Sequence, residues 1–594
     1  MKFINKIADI LVLLLLSFIL LVFSVLLYVK FLWPYADYEQ IMITIRDTTL
    51  EVFLSNAVVL DYVLGGLFFV IAFPLCYFFF SRKQQVCMGI LGAILVAYFS
   101  GFIDYFVYTR MSSTLYEDEY VDPKKVEYNF PKEKRNLLLI YLESFEEEYS
   151  NSKWYEKNLI PNLVNLRNEG QYSREHKPMP GANYSIAALV SSQCAIPLRY
   201  SPNRDIWETR FFIPKVTCFP EILKDNGYQT AILKAADIKF TNVNVFAGQH
   251  GYDIADGVNE IENNWLKDEI KNHMGTFGGV TDRTLYDYAK IKLSQFDKNK
   301  PFMLTLFSLD THTPGFFLDK KCKKEFGDIR DAFMCSDRAV YEFVDWFKKS
   351  PYYDNTTIVI VGDHLLQSRM KGSHKAKRGV FNVFLNVAKG LEIDEEKIFS
   401  TYDLAPTILE AMGIELKPRK FGLGASIFDD TATLVERFGA IKLKLNLIKQ
   451  SNFYDDLIKI DVKRVDKYYP YSVGQEIKVQ DFILYTDASE ELLGKYYVDR
   501  LNIGLENYNG GDLEVLFSFY AIIGGNSDMD IIANNNKLMN YKFDTKEKQP
   551  FTIKMNISKE LIKDNKLQFK FRNSNSQSTI GLGVSPLTMK IIEK

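Results

Sequence analysis

Apolar positions crowd the first hundred or so residues of the chain and then give way to short blocks separated by polar stretches. Residues 10–29, ILVLLLLSFILLVFSVLLYV, carry no charge. At about 1.5 Å per residue that run crosses the roughly 30 Å hydrocarbon layer as a helix. Two further apolar runs cover about 57–80, with Asp61 near its start, and about 86–108, with Asp104 near its end. The pattern predicts an α-helical transmembrane anchor of about three spans over residues 1–110. A cleaved signal peptide is disfavoured by the length of the first run, the lack of a small-residue cleavage site and the two runs behind it. Three buried helices of a soluble domain are the remaining alternative.

A charged stretch over 111–134 reads as a linker. Beyond it, NLLLIYLES (136–144) is a continuous apolar run that stops abruptly, the mark of a buried strand. The runs YQTAILKAA (228–236), PFMLTLFSLD (301–310), TTIVIVGDH (356–364) and VFNVFLNV (380–387) repeat that form. Helical patterns lie between them, including LIPNLVNLRNEG, CFPEILKDNG and SDRAVYEFVDWFKKS, and TYDLAPTILEAMGI (401–414) closes the series. Strands alternating with helices predict an α/β domain around a mainly parallel sheet, over residues 135–430. From about 445 helical periodicity largely disappears. LEVLFSFYAII, PFTIKMNI and KLQFKFRN stand between Asn, Gly, Asp and Lys clusters, which predicts a smaller all-β, sandwich-like domain over 445–594. It carries no obvious catalytic cluster, so accessory binding and a purely structural role stand side by side.

Charge and cysteine usage place these domains. The 72 Lys and Arg balance 74 Asp and Glu to a formal net charge of −2, without the basic field of a nucleic-acid coat. Aromatics at 14% exclude low-complexity disorder. Lys2 and Lys6 precede the first run, and Arg82 and Lys83 separate the second from the third. That arrangement sets the N-terminus inside and everything after about 110 outside. Cys194, Cys218, Cys322 and Cys335 then fall in an oxidising compartment as two locally spaced couples, predicting the disulfides Cys194–Cys218 and Cys322–Cys335. Four free thiols are the alternative.

In open α/β sheets ligands gather beyond the carboxyl ends of the strands. There the apolar runs lead into Glu143, into Asp363 and His364, and into His312. Two carboxylates and an imidazole suit Mn²⁺ or Zn²⁺. A nucleophile is available in GANYSIAALVSSQCAIP (181–197), where Ser185 opens an apolar helical stretch. The N–H groups and positive dipole end of a helix start attract phosphate, and a metal on the hydroxyl would lower its pKa. A plain N-cap serine is the alternative. His250, in GQHGYD, reads either as a substrate group or as a loop histidine with ordinary hydrogen bonds. His374, in MKGSHKAKRG, sits among Arg369, Lys371, Lys375, Lys377 and Arg378, either a site for lipid or acceptor phosphates or a solvated face. His176 and His273 carry no assignment.

Taken together, an ES pair after the first strand, a hydroxyl about forty residues on, an H-x-P loop and a strand ending in DH resemble the alkaline phosphatase superfamily. The phrases YSIAALVSSQCAIPL, VFAGQHGYD and SLDTHTPGF look more narrowly like its membrane-anchored phosphoglycerol and phosphoethanolamine transferases, a group that includes lipoteichoic acid synthases. The resemblance spans about 135–415. It implies an alkaline-phosphatase-like catalytic domain in the cytoplasmic membrane, facing the periplasm or cell exterior. It also implies one divalent metal, Mn²⁺ first and Zn²⁺ or Mg²⁺ as alternatives, held by Glu143, Ser185, Asp363 and His364. Ser185 would be the nucleophile, and His312 would hold the substrate phosphate or protonate a leaving alkoxide. The implied reaction moves a phosphoglycerol headgroup from a membrane phospholipid, through a phospho-Ser intermediate, to a glycan. Phosphatidylglycerol is the first choice of donor and phosphatidylethanolamine the second. A hydrolase on the same site, or a non-catalytic membrane receptor, are the other readings. Two departures matter: the group more often has Thr where Ser185 stands, and Phe240-Thr241-Asn242-Val243 replaces the F-W-N-R of lipoteichoic acid synthases, which argues against a polyglycerol-phosphate polymerase. Sulfatases need C/S-x-P-x-R, and Ile186-Ala187-Ala188 after Ser185 breaks that pattern.

Overall fold

The computed structural model describes residues 106–458 except 200–211, 314, 369, 373–376 and 429. It also describes 469–594 except 479–485, 493–494, 524–526, 544–548, 574–579 and 583–587, and scattered helical positions between 84 and 98. The apolar runs at 10–29 and 57–80, and most of that at 86–108, lie outside the described residues. Among the described residues no helix is long and apolar enough to cross a membrane. The chain divides into two compact units, one ending at Ile458 and a second comprising 205–214 and 459–594.

The first unit is organised by six strands: β1 (Asn136–Leu142), β2 (Gln229–Lys234), β3 (Ile254–Asp256), β4 (Phe302–Phe307), β5 (Thr356–Gly362) and β6 (Asn382–Leu385). Their order is β3-β2-β4-β1-β5-β6, all parallel except β6, which runs antiparallel to β5. Every residue of β1 and β5 is buried, which is why both read as unbroken apolar runs. One face packs Leu138, Ile140, Leu304 and Ile360 against α1 (Pro161–Arg167), α4 (Asp282–Gln295) and α5 (Ile329–Lys348), through Leu163, Leu285, Val340 and Phe343. On the other face lie α2 (Ser185–Cys194) and α6 (Leu404–Ala411): the Tyr141 hydroxyl is 2.5 Å from Ser192 Oγ, and Thr357 Oγ1 donates to Ala411 O at 3.1 Å. Cys194, the last residue of α2, is disulfide-bonded to Cys218 just before α3 (Phe219–Asp225), and Cys322 is bonded to Cys335 of α5.

Two boundaries differ from the sequence reading. The stretch 111–134 is no free linker: Tyr116 is fully buried, its hydroxyl donates to Leu447 O at 2.8 Å, and Glu127–Asn129 pairs antiparallel with Glu415–Lys417. Charged neighbours hide those few apolar anchors. The residues just after 445 are not β either. They belong to two helices, α7 (Ala440–Leu447) and α8 (Asn452–Ile458), which bury Leu443, Leu447, Tyr454 and Ile458 at helical spacing in the first unit.

The second unit holds two sheets. One is centred on Lys495–Glu506, Lys566–Asn573 and Ser527–Ala533, and the other on Leu513–Ile523 between Gln549–Ile557 and Thr588–Glu593. Alternate residues of both, among them Leu501, Ile503, Val515, Phe517, Ile553, Phe569 and Ile591, form one buried cluster, the arrangement of a β-sandwich.

Candidate active site

The site grows from the carboxyl ends of β1, β4 and β5. Leu142 and Gly362 are paired across β1 and β5, so the next residues, Glu143 and Asp363, emerge side by side. Gly362 has to be glycine, because a Cβ there would lie 2.1 Å from Phe145 O. Ser144 takes a left-handed backbone (φ 59°), and its N–H donates to Asp363 Oδ1 at 2.8 Å while its hydroxyl donates to Glu143 Oε1 at 2.7 Å. From the end of β4, Ser308 Oγ accepts the Glu143 N–H at 2.9 Å, and Thr311 Oγ1 donates to Glu143 O at 2.6 Å. His364 Nδ1 lies 2.9 Å from Leu365 O. A carbonyl can only accept, so Nδ1 carries the proton and Nε2 offers its lone pair. Nε2 is 3.3 Å from Asp363 Oδ2 and 3.6 Å from Glu143 Oε1.

Ser185 is the first residue of α2, behind Tyr184 as N-cap, and its hydroxyl donates to Glu143 Oε2 at 3.3 Å rather than capping the helix. Glu146 and Glu147, close to Glu143 in sequence, are spent on the chelated ion pairs Glu146–Arg378 and Glu147–Arg167.

These groups are buried together, and that sets their charges. Burial, then the neighbouring Glu143 carboxylate, pushes the Asp363 carboxyl up to about 7. Burial also acts to raise Glu143, but the His364 and His312 imidazoles and the Ser144 hydrogen bond outweigh it and leave that carboxyl lowered. Burial disfavours the charged His364 ring, yet Asp363 and Glu143 hold it raised. Two carboxylates thus share one imidazole, and Asp363 Oδ2, fully enclosed, has no hydrogen-bond partner. Ligand atoms of Glu143, Asp363 and His364 all lie within 4.8 Å of one another. Ligands about 2.1 Å from a common ion in a tetrahedron stand about 3.4 Å apart. The donor set, its spacing and the orphaned oxygen therefore fit a divalent cation.

His312 joins the site from the loop after β4. Its ring meets Phe277 edge-on at 4.3 Å, its Nδ1 lacks a partner, and burial lowers its pKa while Glu143 opposes that shift. Sequence reasoning missed Lys234. This last residue of β2 is 7% exposed, donates from Nζ to Phe240 O at 3.3 Å and lies over the Phe240 ring at 5.2 Å. Burial lowers its ammonium to about 8, and its charge acts on both Glu143 and His312. A lysine ending an apolar run reads as the solvated tip of a strand. The available signal was that β2 ends at the same sheet edge as the other site strands.

His250 is not brought to this site. It is buried 2.7 Å from Glu221 Oε1, against Phe246 and beside Cys218 at the far end of α2 from Ser185. The expectation of substrate contact is corrected to a structural role: its polar edge is occupied by Glu221, and Cys218 is tied up in its disulfide. His374, with Arg369 and Lys375, lies outside the described residues. Of their neighbours, Lys377 pairs with Glu175 and Arg378 with Glu146.

A family model described as Sulfatase matches residues 135–414, the segment that carries the sheet and all of these groups. That segment is similar to the sulfatase/alkaline-phosphatase-like family. Among curated proteins, phosphoglycerol transferase I of Salmonella paratyphi B is 30% identical over 392 residues, 63% of this chain and 49% of that protein. The chain spans about half the length of the curated relatives it matches. Among solved structures, the lipoteichoic acid synthase LtaP from Listeria monocytogenes aligns with TM-score 0.42 and 22% identity over 51% of this chain and 79% of that one. The lipooligosaccharide phosphoethanolamine transferase EptA from Neisseria meningitidis aligns with TM-score 0.44 and 13% identity, covering 68% and 84%.

Proposed function

We propose that the chain is a membrane-anchored, metal-dependent transferase that moves a phosphoglycerol headgroup from a phospholipid to a glycan outside the cytoplasmic membrane. The observation that carries this reading is the Ser185 hydroxyl at the start of a ten-residue helix, aimed at Glu143 beside Asp363 and His364. Glu143, Asp363, His364 and Ser185 would hold one divalent cation, Mn²⁺ first, which lowers the pKa of the hydroxyl and offsets charge on the phosphoryl oxygens. In the first step Ser185 Oγ, its proton directed at Glu143 Oε2, attacks the headgroup phosphorus, and the bond to the diacylglycerol oxygen breaks. His312 protonates that departing oxygen; a bound phosphodiester favours the charged ring, countering its burial. In the second step His312 takes the proton of an acceptor hydroxyl, whose oxygen attacks the phospho-Ser185 diester; the bond from phosphorus to Ser185 Oγ breaks, and Ser185 Oγ recovers its proton from Glu143 Oε2. The N–H groups at the start of α2 face the charge that develops on phosphorus.

Lys234 favours phosphatidylglycerol over phosphatidylethanolamine as donor. A buried ammonium at the sheet edge can donate to glycerol hydroxyls and repels a headgroup ammonium in a medium that screens poorly. Phosphoglycerol transferase I is the name carried by curated relatives, consistent with this choice.

The test is transfer of labelled glycerol phosphate from vesicles by the full chain. Ser185→Ala abolishes the transfer while the thermal melt is unchanged; full residual activity in that variant removes Ser185 from the mechanism. Product analysis with and without glycan separates transfer from hydrolysis.

A further inference from the structure

Helix α7 has two apolar sides. Leu443 and Leu447 are fully buried against the first unit. At about 100° per residue, the opposite side carries Ile441, Leu445 and Ile448. Ile441 is 78% exposed, more than any other large hydrophobic side chain among the described residues, and Leu445 and Ile448 are half-buried. Lys442 and Lys449 flank this stripe on one side and Lys444 on the other, and residues 440–450 contain no acid. An apolar stripe edged by lysines is the pattern of a helix lying in a lipid interface, its ammonium groups reaching outward past the stripe.

The position of α7 in the chain says what covers it. Gln450, three residues past the helix, donates its N–H to Met111 O at 2.8 Å and accepts from Ser113 N at 2.9 Å. The apolar run at 86–108 ends only three residues before Met111. Phe106, Val107 and Met111 are themselves exposed, with the Arg110 guanidinium 3.6 Å over the Phe106 ring. The C-terminal end of α7, a helix about 12 Å long, therefore lies where the chain leaves its last apolar run.

We propose that α7 rests on the anionic phospholipid surface, with Ile441, Leu445 and Ile448 at the acyl boundary and Lys442, Lys444 and Lys449 on lipid phosphates. The helix is a second contact between the first unit and the bilayer, beyond the chain connection itself, and it keeps that unit against the lipid layer. The inference rests on the anchor assigned to residues 1–110 and not on the transfer chemistry, so it is testable in an inactive protein.

The full chain, with Cys76→Ser and Cys87→Ser, is reconstituted in phosphatidylglycerol-containing vesicles and labelled with an environment-sensitive fluorophore at Ile441→Cys. A second sample carries the label at exposed Lys389→Cys. Lipid-borne nitroxide quenches the label at 441 several-fold more than that at 389, and aqueous iodide quenches it several-fold less. Equal quenching at the two positions overturns the proposal. So does protection at 441 that grows with the protein-to-lipid ratio, which assigns the stripe to a second copy of the chain. Lys442→Glu with Lys444→Glu, both exposed, lowers lipid quenching at 441 without changing the melt; unchanged quenching overturns the role of the lysines.

Discussion

The residues at the site are each held by hydrogen bonds to their immediate surroundings. Glu143 is oriented through Ser308, Thr311 and Ser144, and His364 through Leu365 O, so the groups that would hold a cation are aimed by neighbours outside that set. Lys234 stands apart as the buried cation at this edge. Losing a charge-assisted partner costs about 1.5–3 kcal/mol, roughly 10- to 100-fold in rate. Lys234→Met is accordingly expected to lower kcat/KM for phosphatidylglycerol by that range, and Lys234→Glu to shift preference toward phosphatidylethanolamine, read by competing the two donors in one vesicle. His176 gives a prediction of a different kind. Burial, then Lys177, drops its pKa to about 3, while its ring stacks on Phe399 at 4.3 Å. The unfolded chain, with a histidine pKa of about 6.5, binds the proton more tightly, so stability falls by about 1.4 kcal/mol for each pH unit between 6.5 and 3. In chelator-treated protein, His176→Phe should flatten that part of the stability-against-pH curve, measured by urea unfolding. Glu143, Asp363 and His364 were legible because each directly follows a buried apolar run. Lys234 was not, because polarity at a strand end does not say which way the side chain turns. His250 was left between two readings because a loop motif does not show which carboxylate is waiting for the imidazole.

Among the elements, α2 does most to place Ser185, the proposed nucleophile. All of its residues after Ser185 are buried, and its hydroxyls are satisfied within the fold: Ser191 Oγ donates to Gly181 O at 2.7 Å and Ser192 Oγ to Ala188 O at 2.6 Å. A helix covered on both sides shows little amphipathic contrast, so its apolar stretch alone could not orient it. Its far end is tied by Cys194–Cys218 across a 24-residue separation. Removing a crosslink over a loop of that size costs about 3 kcal/mol in the chain-entropy account. Cys194→Ser with Cys218→Ser is therefore expected to lower the melting temperature by several degrees and to leave transfer intact at low temperature, because Ser185 sits at the other end of the helix. The strands were the best-read elements, since burial on both faces writes itself as an unbroken run. Helix α8 was the worst read: Tyr454 and Ile458 are its only buried residues, too few to stand out as a period.

The whole molecule divides into a unit that carries every assigned chemical group and a second unit built on its own core. A chain ending at Ile458 should still bind about one Mn²⁺ or Zn²⁺, lost on Asp363→Ala, as elemental analysis would show. Failure of the shortened chain to bind metal would make the second unit part of the site's integrity. The sequence by itself determined the α/β plan, the later β region, the paired cysteines and the candidate acidic and imidazole groups at the strand ends, because period, run length and residue type are local properties. Only the tertiary structure decided that Glu146 and Glu147 are taken up by Arg378 and Arg167, that Lys234 lies in the site and His250 outside it, and that residues 111–134 and 440–458 pack on the first unit. Those outcomes depend on which buried charge finds which partner and on where a few isolated apolar anchors land, and neither is encoded by neighbours along the chain.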